Sequence, residues 1–94
     1  MTAEWRGAAE YAASEVQDLL AALFADGMAA PAVGYELLDS NDCVVAEAEL
    51  AWPSKKVTVL LTNLHVADFE NAGWKVFEAT SPGLGALLRG LLKD

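Results

Sequence analysis

The chain has 94 residues, a 54% hydrophobic composition and fourteen acids against six bases, a net charge of −8. That length holds one hydrophobic core, and so much apolar surface excludes a disordered acidic tail. The charge opposes direct duplex DNA binding, which needs clustered Lys and Arg. It is also unevenly spread: residues 1–52 carry ten acids and one base, residues 53–94 four acids and five bases.

From Thr2 to Ala25 the apolar positions Trp5, Ala9, Ala12, Val16, Leu19, Leu20, Leu23 and Phe24 keep a period of 3.6. This predicts one amphipathic helix, capped by Thr2 and stopped by Gly27. On a continuous helix Glu4, Tyr11, Glu15 and Asp18 share a flank away from the apolar stripe, and Glu10 adds to the acidity of the outer surface. Trp5, close to the start, is a packing residue or an interface anchor.

After Pro31 the period changes to 2. Val33, Tyr35 and Leu37 alternate with Gly34, Glu36 and Leu38, and Asp39-Ser40-Asn41-Asp42 is turn chemistry. Cys43 to Trp52 reads as a second strand, Pro53-Ser54-Lys55 as a turn, and Lys56 to Leu61 as a third strand. Together they predict an antiparallel meander. A short helix follows over Leu64 to Ala72, capped by Thr62 or Asn63 and ended by Gly73. Trp74 to Ala79 is then a fourth strand, reached by a crossover that favours parallel pairing with an earlier strand. Ser81-Pro82 opens a leucine-rich terminal helix carrying Leu84, Leu87, Leu88, Leu91 and Leu92 with Arg89 and Lys93. Gly83, Gly85 and Gly90 weaken it, so it depends on docking. The expected fold is a single α+β domain over residues 1–94, a four-stranded mixed sheet packed by helices.

With Ser40 and Asn41 as a two-residue turn, Glu36 faces Val45 and is the diagonal neighbour of Glu47, roughly 7–8 Å away. Glu36, Glu47 and Glu49 then project from one face, and Val33, Tyr35, Leu37, Val44, Ala46, Ala48, Leu50 and Trp52 from the other. A three-residue turn would move Glu36 across. Two chemistries fit such a face. Alternating glutamates are what a solvated antiparallel sheet presents to water. Three close carboxylates also suit Mg²⁺ or another hard cation, as in phosphodiester hydrolysis. Without a cation or a basic partner they repel one another.

The order helix, three strands, helix, strand resembles the core of the PD-(D/E)xK restriction-endonuclease-like superfamily, particularly its very-short-patch-repair-like members. GYELLDSNDCVVAEAELAWPSKKVTVLL (34–61) and FENAGWKVFEA (69–79) are similar to C-terminal modules of some bacterial DEAD/DEAH-box helicases. The most specific pieces are Glu47-Ala-Glu49-Leu-Ala-Trp52-Pro53 and Phe69 with Ala72-Gly73-Trp74. The resemblance implies that Glu36 stands at the first metal-binding acid and Glu47 or Glu49 at the second. The catalytic lysine expected two residues on is replaced by Glu49 or Ala51. A Glu-x-Glu variant of the motif occurs in the superfamily, and Lys55 or Lys56 can supply charge from the neighbouring strand.

Of the remaining residues, His65 at the start of a short helix reads as a surface or capping group. Cys43, the only cysteine, excludes an internal disulfide and reads as a small packing residue. No basic leader and no apolar run of membrane-spanning length is present, so a cytoplasmic setting without a membrane is expected.

These readings converge on a non-catalytic, acidic, nuclease-like domain with no cofactor. It would bind a protein with a basic surface, a nucleic-acid-binding or helicase component, through Glu4, Glu10, Glu15, Asp18, Glu36, Glu47 and Glu49. The setting would be DNA processing, defence or anti-defence, including inhibition by mimicry of nucleic-acid charge, and the terminal helix offers a homodimer contact. The alternative is a Mg²⁺-dependent nuclease using Glu36, Glu47 and Glu49.

Overall fold

A computed structural model describes residues 3–92. The elements are α1 (Ala3–Tyr11), a 3₁₀ turn (Ser14–Val16), α2 (Gln17–Ala25), β1 (Ala32–Leu38), β2 (Val44–Trp52), β3 (Val57–Leu60), α3 (Val66–Asn71), β4 (Lys75–Glu78) and α4 (Leu84–Leu92). The sheet order is β1-β2-β3-β4, with β1, β2 and β3 antiparallel and β4 parallel to β3. This is the expected α+β architecture, including the parallel partner of the helical crossover.

The predicted single N-terminal helix is broken. Ala13 is extended at φ −63°, ψ 155°, and the Gln17 side-chain amide donates to the carbonyls of Ala9 (2.8 Å) and Ala12 (3.0 Å). Helix ends leave carbonyls without intrahelical partners, and Gln17 satisfies two of them from the next segment. The break lets Trp5 and Ala8 of α1 reach the same core as Val16, Leu20 and Leu23. Replacing Gln17 with alanine should therefore destabilise the fold by about 1–2 kcal/mol. Urea denaturation measures this; an unchanged midpoint would mean that the α1–α2 corner does not depend on the side chain. The Thr2 cap lies outside the described residues, as does Lys93.

The glycine stops are as expected. Gly27 (φ 74°) and Gly73 (φ 87°) take the left-handed conformation after α2 and α3. Each closes a paired C-terminal motif: Gly27 N–H to Phe24 and Met28 N–H to Leu23 in one, Gly73 N–H to Glu70 and Trp74 N–H to Phe69 in the other. The last helix begins later than Ser81-Pro82 indicated, because Gly83 at φ 70° interrupts the chain before Leu84.

Two apolar clusters sandwich the sheet. One joins Trp5, Ala8, Val16, Leu20 and Leu23 to Leu50, Trp52, Val57 and Val59, with Leu84, Leu88 and Leu92 of α4. The terminal helix thus docks on its own core, and Arg89 reaches Asp26 at the end of α2 (3.3 Å). Trp5 is 6% exposed and gives its indole N–H to the Met28 carbonyl (3.1 Å), which makes it a core residue rather than an exposed anchor. Trp52 does the same with Ala29 (2.8 Å). The other cluster gathers Leu37, Ala46, Ala48, Ala51 and Leu60 against Phe69 and Trp74, with Tyr35 at its margin. Thr58, a buried polar residue of β3, donates its hydroxyl to the Leu50 carbonyl (2.8 Å).

The expected single apolar face of the hairpin is consequently divided. Ala48 and Leu50, two apart on β2, belong to different clusters. An unbroken pleat would put them on one side. The change coincides with Gly34 on the neighbouring strand, whose φ of 69° few residues other than glycine adopt.

Candidate functional site

The hairpin's acidic face is set by its turn. Asp39 N–H donates to the Cys43 carbonyl (2.9 Å) and Asp42 N–H to the Asp39 carbonyl (3.1 Å), so Ser40, Asn41 and Asp42 form a three-residue loop. Asp42 takes the left-handed conformation at φ 62°. The Asp39 carboxylate locks the loop by accepting the N–H groups of Asn41 (2.8 Å) and Cys43 (3.0 Å). Such a loop, a tight turn followed by a left-handed residue, is a common hairpin connection.

That loop alone would carry Glu36 to the other face. A second irregularity restores it: pairing runs Leu38↔Val44 and then Leu37↔Ala46, leaving Val45 as an extra residue in β2. Two one-residue displacements move the register by two and return the side-chain parity. Glu36 therefore stands directly opposite Glu47, not Val45 as a two-residue turn requires, and the expected diagonal relation to Glu47 is replaced by direct pairing. Glu49, between Ala48 and Leu50, falls across from Gly34. Val44, placed in the apolar face by the sequence, is 49% exposed at the tip, and Cys43 is exposed rather than packed.

Glu47 and Glu49 line one cleft of about 280 Å³, together with Gly34, Leu60, Leu61, Thr62 and His65. The cleft exists because β3 ends at Leu60 beside the middle of β2, and the chain then turns into α3. His65, at the start of α3, is half-buried, with Nδ1 3.3 Å from the Asp68 carboxylate and no side-chain cap on the helix. The side chains of Glu36, Glu47 and Glu49 make no hydrogen bond or salt bridge to other described residues. Lys55 and Lys56 sit in the turn beyond Trp52, where the Lys56 amine stands near Gly73. Among the described residues no group of three or more His, Cys, Asp or Glu is arranged to hold a metal ion.

The helical acids do not form the single flank drawn on a continuous helix. Glu4 and Glu10 lie on α1, Glu15 in the 3₁₀ turn and Asp18 in the first turn of α2, all exposed. At about 100° per residue, Glu4 and Glu10 are separated by about 120° around α1. Glu15 is additionally bonded to the Ser14 hydroxyl (2.9 Å). The hairpin acids are thus the ones that the fold brings together. Thr62 and His65 were missed as their neighbours from sequence. Extending the Leu50↔Val59 pairing leads from Glu47 to Thr62, a signal that depends on knowing the length of the second turn.

No family model matches the chain, and neither a curated protein nor a solved structure matches it. No described helix is long and apolar enough to cross a membrane.

Proposed function

We propose that this chain is a non-catalytic acidic binding module of restriction-endonuclease-like architecture, acting in the cytoplasm on a protein with a basic surface. The observation that carries the reading is the Glu36–Glu47 pair. Like charges directly opposite on a sheet are destabilising, and here no described base compensates them. A Lys- or Arg-bearing partner removes that cost and gains charge-assisted hydrogen bonds. Clustered Lys and Arg are what nucleic-acid-binding and helicase components carry, which supports a setting in DNA processing, defence or anti-defence. Glu4, Glu10, Glu15 and Asp18 extend the negative field that steers the encounter. In its inhibitory form the module occupies the partner's nucleic-acid site by carrying phosphate-like charge.

The test is capture of a nucleic-acid-processing protein on the immobilised chain, followed by competition. Bound partner should be released by added duplex DNA and by raised salt, and the double variant Glu36→Lys, Glu47→Lys should not retain it. Retention indifferent to DNA, salt and charge reversal would overturn the reading. Cleavage of supercoiled plasmid in Mg²⁺, abolished by Glu49→Ala, would establish the nuclease alternative instead.

A further inference from the structure

We infer that β1 is a docking edge for an extended segment of the basic partner in which Lys or Arg alternates with apolar residues. The inference rests on the charge-docking reading above and specifies what engages it.

β1 is the margin of the sheet, paired on one side with β2. On its other side no described backbone group bonds to it. An unpaired margin presents N–H and C=O groups that a further strand can satisfy. Added at about 4.8 Å, such a strand continues the pleat, so its side chains alternate between the two faces of the sheet. On one face it would meet exposed Glu36 with Glu47 behind it, and exposed Leu38 at the end of the strand; on the other, half-buried Tyr35 and buried Leu37, backed by Trp74 at 5.3 Å from the Tyr35 ring. The first face calls for a cation opposite Glu36 and the second for apolar groups. The regular part of the edge is short, from Tyr35 to Leu37, bounded by Gly34 at φ 69° and by the register shift before Leu38.

A second copy fits this edge poorly. Pairing β1 with another β1 would bring more carboxylates onto Glu36. The opposite margin, β4, alternates Lys75 and Phe77 with Val76 and Glu78, so one face mixes a cation with an aromatic ring and the other carries a further acid. A heterologous basic strand satisfies both faces.

The test uses the full chain and three labelled peptides of equal charge: Lys-Val-Lys-Val-Lys-Val-Lys, the block isomer Lys-Lys-Lys-Lys-Val-Val-Val, and the alternating peptide N-methylated at every second residue. Fluorescence anisotropy should show the alternating peptide binding about tenfold or more tightly than the other two. Amide exchange should slow along β1 from Tyr35 to Leu37 in its presence, and Glu36→Lys should weaken it by a similar factor. Equal binding of the three peptides would overturn the edge while leaving charge docking intact. Failure of all three to bind would overturn both.

Discussion

Phe69→Ala should lower the unfolding free energy by about 3–5 kcal/mol, the usual loss for deleting a fully buried phenylalanine. Phe69 has no exposed surface, and its ring meets Trp74 edge-on at 5.3 Å and 76°. Its carbonyl also accepts the Trp74 N–H that closes α3 (3.0 Å). The side chain is therefore the main attachment of a six-residue helix, too short to persist in water by itself. For a domain with about 5–15 kcal/mol of total stability, such a loss consumes much of the margin. At about 4–8 °C per kcal/mol, the melting temperature should fall by more than about 12 °C. Thermal melting followed by circular dichroism checks this. A loss under about 1 kcal/mol would show that α3 and the cleft beside it are not held by this cluster.

Glu47→Lys should have two effects of opposite sign. Placed directly across from Glu36, a lysine turns a repulsive cross-strand pair into an attractive one, worth about 0.5–1 kcal/mol of added stability. Because the pair is exposed, salt should diminish the gain. The same substitution should abolish retention of the basic partner, since it puts a cation where the partner's cation docks. Urea denaturation and the capture assay measure the two effects on one sample. Reduced stability together with lost capture would point to a damaged hairpin. Increased stability with capture intact would remove Glu47 from the interface.

How much could be read beforehand differs from element to element. The strands and helices follow from local periodicity, and Gly27 and Gly73 end their helices because few other residues take the left-handed turn cheaply. Gly83 has the same property, yet local sequence alone does not distinguish a weak position inside a helix from a break before it. The Gln17 amide, which stabilises the bend between α1 and α2, has no periodic signature. A glutamine at that position suits a helix equally well, so the continuous acidic flank followed naturally and did not survive. The glutamate face was legible in composition but not in register. A three-residue loop and the extra Val45 each shift pairing by one, and only their sum keeps Glu36 beside Glu47.

By itself the sequence determined the order of elements, the α+β class and the concentration of acid in the first 52 residues, because each depends on residues near one another along the chain. Tertiary structure decided which carboxylates meet, that Glu47 and Glu49 share a cleft with His65, and that β1 is the margin of the sheet among the described residues. Those outcomes depend on turn geometry and strand order, where one residue more or less reverses the face a side chain occupies.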